Sequence, residues 1–256
     1  MLTTPKRDNL NKIVVLNPKG GCGKSTLVTN LAARYAQSEP TPVVMDFDPQ
    51  GSSMAWLDRR PPDLPAIHGI AAFKKTMHAT RSWQLRIPGN TSNVLVDSPA
   101  SVNHDSLREL TRDATSILVP VLPSSMDIHA ASRCIADLLL VAKIDRRDRK
   151  LAVVANRTRK NTKSFGRLMR FLDSLGIPII AVLRDSQNFV QAAEKGIGLC
   201  EMQPSRVRQD LEQIDRIVNW LNAWPERRRD TARATRKQSK PFSASRVLRR
   251  PQFGSA

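Results

Sequence analysis

Residues 19–26 read Lys-Gly-Gly-Cys-Gly-Lys-Ser-Thr. They follow a short apolar run, Lys12–Asn17, and precede a stretch with helical spacing, Ser25–Gln37. A glycine-rich turn between a buried strand and a helix is a phosphate loop of the Walker A kind. Gly20, Gly21 and Gly23 let the backbone curl so that its N–H groups converge on phosphate oxygens. The first turn of the following helix adds its positive end. In such a loop Lys24 reaches the β- and γ-phosphates, Ser25 supplies a hydroxyl to Mg²⁺, and Thr26 contacts the α-phosphate. Cys22 lies within the same cradle. Lys19 is extra, because an ordinary loop of this kind does not require a lysine at its start.

Acidic and amide residues recur at the ends of other apolar runs. Met45-Asp46-Phe47-Asp48-Pro49-Gln50-Gly51-Ser52 closes a second run, and Asn93–Pro99 closes a third at Asp97. A carboxylate at a strand end can hold a metal or orient water, and it can equally cap the next helix. Val153-Val154-Ala155-Asn156-Arg157 ends a further run in an asparagine, also a common turn former.

The elements that must carry these residues alternate. Strands are expected at Lys12–Asn17, Val43–Phe47, Val94–Asp97, Ile117–Leu122, Leu151–Ala155 and Ile179–Leu183. Helices are expected at Ser25–Gln37, Ser125–Lys143, Ser164–Leu175 and Val207–Trp224. Strands apolar on both faces and alternating with helices imply an α/β fold, a single doubly wound and mostly parallel sheet covered on both sides. Ligands in such sheets bind beyond the carboxyl ends of the strands, where these motifs fall. The boundaries read as an N-terminal segment 1–11, a phosphate-loop α/β domain 12–224 and a basic tail 225–256.

In the order and spacing of these motifs the chain resembles the ParA/MinD family of deviant Walker A ATPases. The resemblance covers residues 12–224 and implies a P-loop NTPase fold with ATP and Mg²⁺ as cofactors. It implies that Lys19 reaches the phosphates of a partner subunit in a nucleotide-sandwich homodimer, and that Lys24 and Asp48 join it in catalysis, Asp48 by orienting the attacking water. Asn93–Pro99 looks like the Walker B strand, with Asp97 holding the metal through water, and Asn156 falls where the family reads adenine. Asn188 and Val207 stand where many relatives have basic residues. The short N-terminus suits small partition or carboxysome-distribution relatives.

Charge points to a partner. The formal net is +18 over 256 residues, which attracts nucleic acid or acidic lipid. Arg157, Arg159, Lys160, Lys163 and Arg167 cluster after one strand, and Arg206 and Arg208 precede the last helix. Residues 225–256 hold ten Lys or Arg against two acidic residues and have no apolar period, so they are expected to be disordered. Aromatic residues are nearly missing among these cations, which favours duplex DNA held by its backbone over stacked single strands. Cys22, Cys134 and Cys200 form no paired ligand set, and Cys134 and Cys200 read as buried structural cysteines. The start of the chain has no apolar signal core and no run approaches a membrane span, so a cytoplasmic protein is expected.

The expected function is an ATPase that dimerises on ATP, binds nucleoid DNA without sequence preference, and positions a plasmid, chromosome origin, carboxysome or protein cluster through an adaptor protein. Two alternatives differ in class. A MinD-like membrane-associated ATPase needs an amphipathic C-terminal helix. A phosphotransferase of the same fold needs a small acceptor.

Overall fold

A computed structural model describes residues 10–38, 40–73 and 87–226. Seven strands form one sheet: β1 (Asn11–Val15), β2 (Val43–Asp46), β3 (His68–Ala71), β4 (Asn93–Asp97), β5 (Ser116–Val121), β6 (Leu151–Thr158) and β7 (Ile179–Arg184). Their order is β3-β2-β4-β1-β5-β6-β7 and every pairing is parallel. Among the described residues the α-helices are α1 (Lys24–Ala36), α2 (Ser52–Asp58), α3 (His104–Thr111), α4 (Ser125–Leu140), α5 (Lys163–Ser174), α6 (Gln187–Glu194) and α7 (Pro204–Asn222).

The sheet separates two apolar cores. Alternate residues of one strand serve different cores, as period two requires: Ile13 and Val15 join α1 and α7 on one face, while Val14 joins α3, α4 and α5 on the other. α7 turns Val207, Ile214, Ile217, Val218 and Leu221 into the first of these.

The register matters most for function. β4 lies between β1 and β2, with Val15 paired to Asp97 and Asp97 paired to Asp46. The chain end that opens the phosphate loop and two strand-end carboxylates are therefore brought side by side at one edge of the sheet.

Several expectations are corrected. β1 runs from Asn11 to Val15 and not from Lys12 to Asn17. β6 runs on to Thr158, because a register shift between Ala155 and Thr158 lets it keep pairing with β7. α4 stops at Leu140, before Lys143 turns into the left-handed region. Residues 224–226 are helical, and the rest of the expected basic tail, 227–256, lies outside the described residues. Cys134 is buried, but Cys200 is only half-buried.

Candidate functional site

The loop between β1 and α1 is fixed from below. Asn17 is fully buried; its Nδ2 donates to the Pro120 carbonyl at the end of β5 (2.7 Å), and its Oδ1 accepts from the Lys19 amide (2.9 Å). One side chain thereby anchors the loop to the neighbouring strand and sets the direction in which Lys19 leaves it. Gly21 and Gly23 hold φ of +73° and +97°, conformations that glycine adopts without a Cβ penalty. At Gly20 and Gly21 a Cβ would meet open space, but at Gly23 it would stand 2.2 Å from Asn156 Nδ2. α1 opens with no side-chain cap and no acidic residue in its first turn, which leaves its positive end for an anion.

Lys24 is buried. Its Nζ donates to the carbonyls of Asn17 (3.1 Å) and Lys19 (3.3 Å), so the ammonium is curled inside the loop's own backbone. Lys19 is only partly buried. Cys22 is buried, and burial pushes its thiol above the ordinary range despite the nearby Lys24 charge.

The two carboxylates of the β2 segment divide the roles that sequence left open. Asp46 is fully buried and wrapped by its own loop: Oδ1 accepts from the Asp48 amide, and Oδ2 from the amides of Ser53 and Met54. It caps α2. Burial raises its pKa, and those amides pull it back. Asp48 stands at the rim, half-buried, with Oδ1 accepting only from the Gln50 amide.

Asp97 is fully buried at the end of β4. Its Oδ2 accepts a 2.6 Å hydrogen bond from the Ser53 hydroxyl, while its Oδ1 has no hydrogen-bond partner. Burial raises its pKa to about 6, an effect the hydroxyls of Ser25 and Ser53 reduce. An orphaned carboxylate oxygen beside a loop serine is the donor set of a magnesium site that keeps most of its waters and borrows phosphate oxygens. Among the described residues no group of three or more His, Cys, Asp or Glu could hold a metal, so a metal at this edge would rest on Ser25 and Asp97. The residues present fit Mg²⁺.

Asn156 lies at the bulge of β6 and is itself buried. Its Nδ2 donates to the Cys22 carbonyl (2.8 Å) and its Oδ1 accepts from the Arg157 amide (2.9 Å), with Arg157 at φ +47°. In this arrangement the Nδ2 end of the amide braces the phosphate loop, while the Oδ1 end is held by the backbone of β6.

The cations fall into two groups at the carboxyl ends of β6 and β7. Arg159 pairs with Asp185 (2.7 Å), and Lys160, Lys163 and Arg167 are exposed along the turn into α5 and its first turns. Arg206 donates to Gln191 and Arg208 to Glu212 at the start of α7. With Arg184 these two arginines line an open cavity of about 440 Å³. The buried Asp210 holds Arg184, Ser186 and Asn188 together, so Asn188 is a structural tie to α7.

Asn17, Ser53 and Asp127 escaped sequence reasoning. Asn17 carried a weak signal, as an asparagine two residues before Lys19 can close a turn with its own side chain. Ser53 and Asp127 carried none. Asp127, in the first turn of α4, is buried with Oδ1 unpartnered, and its other oxygen accepts from Ser124.

This constellation has relatives. Over 208 residues the chain is 28% identical to the maintenance of carboxysome distribution protein A of Halothiobacillus neapolitanus, covering 81% of this chain and 94% of that one. A plasmid partition protein from Borrelia burgdorferi B31 bound to AMPPNP has the same fold, with a TM-score of 0.64 at 11% identity over 82% of this chain and 98% of that chain. The ATP complex of a Cyanothece McdA variant superposes with a TM-score of 0.61 at 15% identity, over 82% and 97%. Residues 13–199 match the model of the CobQ/CobB/MinD/ParA nucleotide binding domain. That match takes in the loop, both strand-end carboxylates and Asn156, and the chain belongs to this nucleotide-binding family.

Proposed function

We propose that this chain is an ATP-hydrolysing positioning switch that dimerises on ATP, grips duplex DNA by its backbone, and releases it when an adaptor protein stimulates hydrolysis. The observation that carries the reading is the pair of lysines on one loop. Lys24 is folded inward onto two carbonyls that phosphate oxygens can replace, while Lys19 stands partly exposed at the mouth. A loop that needed only to hold a nucleotide would not need the second lysine. Mg²⁺, held by Ser25 and through water by Asp97, would neutralise charge developing on the phosphates. The chain's own part is positional: the loop amides and Lys24 hold the phosphates, Asn156 holds the loop, and Asp48 at the rim orients the attacking water.

The DNA reading rests on the +18 net charge and on Arg159, Lys160, Lys163, Arg167, Arg206 and Arg208 sharing one end of the sheet. Likeness to the carboxysome-distribution protein favours a carboxysome as cargo, in a cytoplasmic, nucleoid-associated setting. Against the membrane-associated alternative stands α7, whose apolar face is packed on the core. Among the described residues no helix is long and apolar enough to cross a membrane.

The test is duplex binding by the full chain with ATP, with ADP and without nucleotide, across a salt series. Binding should require ATP, weaken steeply with salt and be lost in Lys24→Ala. Lys19→Ala should bind nucleotide and stay monomeric. ATP-dependent DNA binding by Lys24→Ala would overturn the mechanism, and normal hydrolysis by Asp48→Ala would remove Asp48 from it.

A further inference from the structure

Ser53 occupies a place that the nucleotide chemistry above does not use. It is fully buried in the first turn of α2, and it touches both strand-end carboxylates at once. Its amide donates to Asp46 Oδ2 (3.1 Å) and its hydroxyl donates to Asp97 Oδ2 (2.6 Å). Between Asp46 and Ser53 the chain makes a closed wrap. The Asp48 amide returns to Asp46 Oδ1, the Gly51 amide to the Asp48 carbonyl (2.9 Å), and the Gln50 amide to Asp48 Oδ1 (3.0 Å). The Phe47 amide adds a bond to the Asp97 carbonyl (2.9 Å). Within this wrap the Ser53 hydroxyl is the side-chain link to Asp97.

We propose that Ser53 is a positioning residue with two duties: its hydroxyl turns the unpartnered Oδ1 of Asp97 toward the metal, and it transmits occupancy of that metal to the loop carrying Asp48. The inference rests on the nucleotide and metal reading of this edge. The physical argument is one of hydrogen-bond accounting. A buried carboxylate has two oxygens, and whichever one is occupied by a fixed donor leaves the other to a ligand. Ser53 occupies Oδ2. Its own backbone is fixed to Asp46, so it cannot follow Asp97 without dragging the start of α2 and the wrap before it. A shift of the Asp97 carboxylate on taking a metal is then felt at Asp48, the residue that must be placed for hydrolysis.

The experiment uses the full chain with Ser53→Ala and with Ser53→Cys, which keeps the volume and only a weak donor. AMPPNP affinity is measured by calorimetry with Mg²⁺ and with EDTA. Hydrogen exchange over residues 47–54 is followed in the same two conditions. Affinity in EDTA should be unchanged in both variants, because the loop amides and Lys24 are untouched. The gain in affinity on adding Mg²⁺ should fall about tenfold in Ser53→Ala, the usual scale for losing a group that orients a metal ligand, with Ser53→Cys between. In the parent chain Mg²⁺ should slow exchange over 47–54, and in Ser53→Ala that increment should vanish. A merely structural serine would lower affinity in both conditions alike, which would overturn the proposal, as would an intact Mg²⁺ gain with intact protection. If Ser53→Ala does not fold, Ser53→Cys decides by the same two readouts. A parent chain whose AMPPNP affinity ignores Mg²⁺ would overturn the metal reading and this inference with it.

Discussion

Gly23→Ala is the sharpest probe of how the phosphate loop is held. Three terms set its cost. An alanine at φ +97° and ψ 24° lies outside the comfortable left-handed basin, which costs about 1–2 kcal/mol. Stiffening the unfolded chain returns about 0.4–1 kcal/mol. The new Cβ would stand 2.2 Å from Asn156 Nδ2. That contact forces the amide away from the Cys22 carbonyl and loses a buried hydrogen bond, worth about 1–3 kcal/mol when its partner is left unpaired. The single variant should therefore lose about 3 kcal/mol. Asn156→Ala alone should lose about 1–2 kcal/mol, since the Cys22 carbonyl and the Arg157 amide both lose a partner. In the double variant there is no amide left to collide with and no second bond to lose, so only the backbone strain is added. The two changes should then fall short of additivity by about 2 kcal/mol, the hydrogen-bond term of the single variant, a coupling typical of residues in contact. Urea unfolding at equilibrium on the four proteins reads this directly. Strict additivity would refute the reasoning, because it would mean that Asn156 does not stand over Gly23.

Three further outcomes are expected. Lys12 is buried at the opposite edge of the sheet, and burial lowers its pKa from 10.5 to about 8 although its Nζ donates to the Arg112 carbonyl (2.8 Å). Because the unfolded chain holds that proton more tightly, stability should rise with pH between 8 and 10.5, and the full penalty of about 3 kcal/mol should apply below pH 8. After about 1–2 kcal/mol for the bereft carbonyl, Lys12→Met should gain about 1–2 kcal/mol at pH 7 and less at pH 9.5 in urea melts, with nucleotide affinity unchanged. Arg60 and Glu201 form a buried ion pair, and Arg60 also lies over Trp56 with 5.3 Å to the ring centroid. Arg60→Ala should cost about 3–5 kcal/mol because Glu201 would be left charged and buried, and a melt shifted by less than 1 kcal/mol would show the pair to be solvated. Phosphate-loop occupancy should raise thermal stability, and titrating AMPPNP with Mg²⁺ against Asp97→Asn in a thermal shift assay should give a smaller rise for the variant.

Much of the site was legible because its chemistry is local. Gly20, Gly21 and Gly23 sit within four residues, and apolar runs such as Ile13–Leu16 announce strands buried on both faces. Among the described residues one strand and three α-helices were missed, for reasons of size and exposure. β3 (His-Gly-Ile-Ala) is an edge strand of four residues with two exposed, so it has neither the length nor the apolar content of the others. α2 and α6 have seven and eight residues, too few for a period to emerge, and α3 is equally short. The family resemblance assigns the water to Asp48, but the residues alone do not separate Asp46 from Asp48, because both stand at the end of the same apolar run. The amides that distinguish them come from Ser53 and Met54, and only the fold brings those back. Asn156 read as a ligand-contact candidate from its place at a strand end, whereas its bond to Cys22 joins residues 134 positions apart.

The sheet order itself sets which two loops meet at Asp97. With β4 inserted between β1 and β2, Asp97 is the carboxylate flanked by the phosphate loop on one side and the Asp48 wrap on the other. A sheet in sequential order would place β2 beside β1, with no residue reporting from one loop to the other. The helix that follows the wrap is tied at both ends. Its first turn holds Asp46 and Asp97 through Ser53. Just past its last turn Arg60 grips Glu201, whose carboxylate also accepts from the Gly198 amide, while Trp56 Nε1 donates to the Ile197 carbonyl. The packing there leaves no slack, since a Cβ on Gly196 would stand 2.5 Å from the Arg59 carbonyl carbon. The segment so gripped leads directly into α7, which carries Arg206 and Arg208. On the proposed function, α2 would be a short strut between the phosphate-loop end of the sheet and the start of α7, where Arg206 and Arg208 stand. If that strut couples the two ends, loosening the Arg60 end should weaken ATP-dependence of DNA binding more than it weakens ATP binding, and equal losses of both would refute the coupling.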